Sequence, residues 1–141
     1  MLSQIAGNDF ILAVVDKIGF TSGDASVTGG LTSDRGGPTS VDYNRWTNYP
    51  NIAAHEFFHI LGLDDLYNAT QKTSLMYYMG GKNRLQVSNT ERTLMNDYLI
   101  HEIENMYKGS YANPGLDTRN KLQKFLNNSK YGFKFNKAKF R

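Results

Sequence analysis

The stretch His55–Asp65, "HEFFHILGLDD", carries two of the chain's three histidines four residues apart, with a glutamate directly after the first. On a helix that spacing places both imidazoles on one face, one turn apart. Rings so placed can reach a single zinc ion at about 2.0–2.1 Å. Glu56 is offset round the helix from His55, which suits it less to ligation than to hydrogen-bonding a water on the metal. A carboxylate there can take the water's proton as it attacks a carbonyl and pass it to the leaving amine. The reaction implied is peptide-bond hydrolysis, with His55 and His59 as metal ligands and Glu56 as general base. The flanking Ala53, Ala54, Phe57, Phe58, Ile60 and Leu61 are apolar, so the polar triplet is expected on a buried helix, where polar groups require partners.

A catalytic zinc takes a third protein ligand. Gly62 can adopt a positive φ and turn the chain sharply after the helix. Asp65, three residues beyond it, can then fold back toward the metal. Adjacent side chains in an extended segment point opposite ways, so Asp64 is expected to face solvent or tie the loop to its own backbone. Within the same chemistry, a glutamate on a later helix could serve instead: Glu91, Glu102 or Glu104. His101, in "LIHEIEN", reads as a surface or packing histidine. From a different class, the chain could be a zinc-stabilised binding module without catalysis, acting through its basic C-terminal tail; Glu56 would then be dispensable.

The stretch resembles the extended zinc signature of the metzincin metallopeptidases in its variant form H-E-x-x-H-x-x-G-x-x-D, with Asp65 at the third-ligand position. Further on, "SLMYY" (Ser74 to Tyr78) is similar to the methionine turn of that class. The resemblance implies a zincin/metzincin-like fold: a small twisted sheet, an active-site helix above it and a helical C-terminal part. It also implies one catalytic zinc, Met76 packed beneath the ligands, and Tyr78 ligating zinc or stabilising the transition state. The Gly-rich segment around Gly29–Thr39 stands where that class has an edge strand that pairs with extended substrate. The run "NIAAHEFFHILGLDDLY" is further similar to metallopeptidase domains at the tips of bacterial polymorphic toxins. That context implies secretion or delivery within a larger bacterial protein, and a cognate inhibitor or immunity protein beside the protein or peptide substrate.

The elements that must position these residues can be read from pattern. "DFILAVVDKI" fits a buried strand, and short strands are expected near Ala25–Leu31 and Thr39–Tyr43, separated by turns. The Gly36-Gly37-Pro38 break is expected to confine any strand there to an edge. The site helix should have Pro50 in its first turn, Asn48 or Tyr49 at its cap, and its stop at Gly62. After an irregular stretch, Ser88 and Glu91 are spaced as a capping box for a helix from Asn89 to Lys108. Its apolar stripe comprises Leu94, Met95, Tyr98, Leu99, Ile103 and Met106. A shorter helix is expected over Thr118–Asn127, capped by Asp117, and "YGFKFNKAKF" reads as a terminal strand or a frayed arm. Strands first and helices later make the class α+β.

At 141 residues the chain reads as one metallopeptidase domain, residues 1–62 giving strands and the site helix and 63–141 the methionine turn, helices and tail. Without cysteine there is neither a disulfide framework nor a thiolate zinc site. The one apolar run near the start, Phe10–Val15, is far too short for a membrane span and lacks a basic leader. The net charge of +3 conceals an asymmetry: residues 116–141 carry 8 Lys/Arg against 1 acidic residue. That tail reads as a solvated face of a terminal element rather than a docking arm for nucleic acid or acidic lipid.

Overall fold

Leu12–Val15, rich in β-branched residues, forms strand β1; Gly30–Thr32 forms β2 and Thr39–Asp42 forms β3. This computed structural model describes residues 9–19, 28–33, 36–78, 81–107 and 114–134. The three strands make one sheet in the order β1-β3-β2. β1 runs parallel to β3, from Leu12 opposite Thr39 to Val15 opposite Asp42. β2 runs antiparallel, from Gly30 opposite Val41 to Thr32 opposite Thr39.

β3 is therefore the central strand, contrary to the edge position expected after Gly36-Gly37-Pro38. The break ends at Pro38, whose carbonyl accepts from Ser33 N at 3.0 Å, and the ladder starts one residue later, so it needs no N–H from proline. All of β3 is buried, and its two hydroxyls find a partner in the Leu31 carbonyl, Thr39 Oγ1 at 3.1 Å and Ser40 Oγ at 3.4 Å. β2 is the edge. It overlaps the expected Ala25–Leu31 strand only at Gly30 and Leu31, and Ala25–Val27 lie outside the described residues.

A short helix not foreseen from the sequence, α1 (Tyr43–Asn48), follows β3 directly. Asp42 ends the strand and caps the helix, its Oδ1 accepting from Arg45 N at 3.0 Å. The site helix α2 (Asn51–Ile60) begins one residue later than expected: Pro50 stands at its N-cap, and Asn48 and Tyr49, the expected caps, instead close α1. Helix α2 packs on β2 and β3 and buries Ile52, His55, Glu56 and Ile60, a stripe at helical spacing that contains two members of the polar triplet.

Gly62 ends α2 as the sequence suggested. Its φ is +88°, Gly62 N donates to the His59 carbonyl at 3.0 Å and Leu63 N to the Phe58 carbonyl at 3.1 Å. These are the two bonds of a Schellman motif. Gly62→Ala is expected to cost roughly 1–2 kcal/mol, because a Cβ is disfavoured in left-handed backbone, and to displace the loop that follows. Urea denaturation with and without zinc checks this, and unchanged stability would contradict it.

Helix α3 (Asn89–Tyr107) carries the capping box: Glu91 N donates to Ser88 Oγ at 3.2 Å, and Ser88 N to Glu91 Oε2 at 2.6 Å. Its expected stripe is only partly inside. Leu94 is 53% exposed, Met95, Tyr98 and Leu99 are half-buried, and the side chains of Ile103 and Met106 lie outside the described residues. Helix α4 (Pro114–Leu126) starts four residues before the expected Thr118, with Pro114 in its first turn. Phe125 is buried against Tyr131 and Phe133. Of the terminal segment, Lys134 makes one antiparallel bridge to Lys17; residues 135–141 lie outside the described residues. The architecture is a small mixed α+β fold. Among the described residues no helix is long and apolar enough to cross a membrane.

Candidate metal centre

The hydrogen-bond partners of the two site histidines fix their tautomers. His55 Nδ1 lies 2.8 Å from the Leu75 carbonyl and His59 Nδ1 lies 2.6 Å from the Leu63 carbonyl. A carbonyl only accepts, so both Nδ1 atoms carry a proton, as in histidines that ligate through Nε2. The Nε2 atoms then face each other at 3.2 Å, with the rings edge to face at 83°. Asp65 Oδ1 completes a triangle, 3.3 Å from His55 Nε2 and 3.7 Å from His59 Nε2. That oxygen is buried and accepts no hydrogen bond.

Three acceptor atoms pointed at one another repel unless a positive charge sits among them. On its other side, the His55 ring has Arg84 Nη1 3.3 Å from Nδ1. A bound cation resolves the conflict at all three atoms together. Ligands of a tetrahedral zinc with bonds of about 2.0–2.1 Å stand about 3.3–3.4 Å apart, close to the observed triangle. His55, His59 and Asp65 thus lie close enough together to hold one metal ion, and two imidazoles with one carboxylate suit zinc. Asp64 is exposed. Chelation should lower the thermal midpoint. An ion that binds only the folded chain, at a hundred times its Kd, stabilises it by about 2.7 kcal/mol, roughly 8 °C for a domain of this size. Calorimetry with EDTA, then with zinc restored, checks this; an unmoved midpoint counts against the centre.

The loop geometry follows from the elements. The Schellman turn at Gly62 brings the Leu63 carbonyl back onto His59. On the other side, the turn Ser74–Tyr78 presents the Leu75 carbonyl to His55. That turn is pinned by Met76 N donating to Ser74 Oγ at 3.1 Å, Leu75 N to the Gln86 carbonyl at 2.8 Å and Leu66 N to the Met76 carbonyl at 2.8 Å. Met76 itself is 1% exposed. Ser74 Oγ donates to Glu91 Oε1 at 3.2 Å, so Glu91 is committed to the turn and to the cap of α3 and is not gathered with the histidines. Of the other distant candidates, His101 is exposed, and the side chains of Glu102 and Glu104 lie outside the described residues.

Glu56 is 6% exposed, and its Oε2 accepts from Thr32 Oγ1 at 2.8 Å. Burial pushes its carboxyl above the usual range, against the opposing pull of His55 and the Thr32 hydrogen bond. A Cβ at Gly30 would collide with the Glu56 side chain, so β2 approaches the glutamate this closely only because residue 30 is glycine. β2, α2 and the loop after Gly62 enclose a cleft of about 830 Å³ whose lining includes His55, Glu56, His59, Asp65 and Tyr78. Tyr78 is 47% exposed and stacks near Tyr67, ring centroids 4.9 Å apart. Among the described residues no strand pairs with the outer edge of β2.

Four participants were not legible beforehand. Thr32 holds Glu56, and Gly30 makes room for it. The Tyr67 hydroxyl donates to Asp65 Oδ2 at 3.5 Å. Arg84, 3% exposed, donates from Nη1 to the Tyr77 and Leu75 carbonyls. Only Gly30, in a Gly-rich edge segment, left a signal in the sequence. No protein-family model, curated protein or solved structure matches the chain.

Proposed function

We propose that the chain is a zinc-dependent endopeptidase of the metzincin type. The reading rests on one observation above all: three acceptor atoms of His55, His59 and Asp65 converge beside a buried glutamate at the floor of an open cleft. Zinc held by those three residues would supply Lewis acidity, polarising the scissile carbonyl and acidifying water. Glu56 takes the proton from the attacking water and delivers it to the leaving amine. Thr32 keeps that carboxylate oriented through Oε2. The outer edge of β2 receives the substrate as an added strand, so that backbone hydrogen bonds hold it extended across the cleft. Met76 anchors the turn that fixes His55, and Tyr78, half-exposed at the cleft wall, is placed to contact substrate rather than to pack in the core. As in the toxin-borne domains that the sequence resembles, such a domain would act as part of a larger bacterial protein and be restrained by a cognate inhibitor covering the cleft.

The test is to load the purified chain with zinc and incubate it with a denatured protein. Fragments that appear with zinc and vanish with a chelator support the reading. Their absence at full zinc occupancy would overturn it.

A further inference from the structure

Two arginines line the cleft, and among the described residues neither is in an ion pair. Arg45, on α1, is half-buried. Arg84 is 3% exposed, and with Nη1 given to backbone carbonyls its Nε is buried without a partner. A buried guanidinium lacking a counter-charge is costly.

The backbones of both arginines belong to the same half of the cleft, while the Arg84 guanidinium reaches from there to His55, its Nη1 3.3 Å from Nδ1. A Cβ on Gly29 would lie 2.8 Å from Ile52 Cδ1 and 3.7 Å from Arg45 Cβ, so Arg45 stands at the Gly29 end of β2, beside the first turn of α2. The segment carrying Arg84 is fastened to that same turn, Asn51 Nδ2 donating to the Gly81 and Arg84 carbonyls at 2.7 and 3.1 Å. At the opposite end, past the C-terminus of α2, the exposed charged residue of the cleft is Asp64. The cleft is therefore charged unequally along its length, cationic over the start of α2 and anionic beyond its end.

Resting on the peptidase reading, we infer that the Arg45–Arg84 half of the cleft is a subsite for a carboxylate side chain, so that the substrates are peptides with Asp or Glu beside the scissile bond. A strand laid antiparallel along β2 has its C-terminal half at the Gly29 end, so the acidic residue follows the bond that is cut. Arg45 supplies the accessible guanidinium, which can grip a carboxylate with two hydrogen bonds. Arg84 supplies charge from the cleft wall. A neutral side chain there leaves both cations unpaired.

Cleavage-site profiling by mass spectrometry tests this, with the zinc-loaded chain acting on a peptide library prepared from denatured proteins. Asp and Glu should be enriched immediately after the cleaved bond. A consensus peptide should be cut with a kcat/KM at least about tenfold above its Asn or Gln counterpart, as expected for a hydrogen bond to a charged group. Arg45→Gln should abolish that ratio and Arg45→Glu should shift the enrichment toward Lys and Arg, with zinc content equal to wild type certifying both folds. Cleavage without a charge preference, or a preference that survives both substitutions, would overturn the inference and leave the peptidase reading intact. No cleavage at full zinc occupancy would overturn both.

Discussion

Glu56→Ala is expected to keep its zinc and its fold while cutting a denatured protein roughly 10²–10⁴ times more slowly, the range for loss of a positioned general base. The separation of the two effects follows from the geometry. Glu56 is not a corner of the ligand triangle; its Oε2 is held by Thr32. The histidine tautomers are set by the Leu75 and Leu63 carbonyls, neither of which depends on Glu56. Nor does truncation orphan the threonine, because Thr32 Oγ1 also lies 2.9 Å from the Glu56 carbonyl and 2.7 Å from Thr39 Oγ1. Glu56→Gln keeps the shape and the Thr32 contact but cannot accept the proton, so it should fall as far as the alanine variant. Zinc content by elemental analysis, thermal midpoint and fragment yield are read together. Full activity in either variant removes the general base from the mechanism; lost zinc in both makes Glu56 a structural residue.

How much of this was readable in the residues themselves divides by range. Features set by neighbours a few positions apart were legible: the i, i+4 histidines, the Gly62 stop, the Ser88–Glu91 cap. Asp65 belongs to the same group, since a left-handed glycine at a helix end determines where the next three residues go. Features set across the fold were not. Thr32 meets Glu56 only because β2 pairs with β3 under α2, and no local pattern distinguishes it from the other threonines. Arg84 would be assigned to the surface from its type, yet it is buried because its donors satisfy carbonyls of a turn seven to nine residues back in the chain. Helix α1 was hidden for a different reason: Asp42 serves as strand end and helix cap at once, and the strand pattern of Thr39–Tyr43 masked the cap. Leu94 illustrates the converse, a residue at helical spacing that the sheet and α2 do not reach.

Asp65→Ala should lose zinc at concentrations that saturate the wild type, while Asp64→Ala retains it. Asp65 Oδ1 is the third corner of the triangle and is buried with no other partner, so its removal leaves two imidazoles, one ligand short of a catalytic zinc site. Changes to groups that merely support ligands already cost 10–100-fold in metal affinity, and deleting the ligand itself should exceed roughly a hundredfold. The carboxylate also contributes charge, which Asp65→Asn isolates. It keeps an oxygen near the same place but not the negative charge, and should bind more weakly than wild type yet better than alanine. Asp64 is exposed and shares the loop, so its substitution controls for any general disturbance after Gly62. Zinc affinity by competition with a chromogenic chelator orders the variants. Equal losses at positions 64 and 65 would mean that the loop as a whole, rather than one carboxylate, holds the ion. An unaffected Asp65→Ala would move the third ligand elsewhere, and with it the argument that three converging acceptors are what this fold assembles.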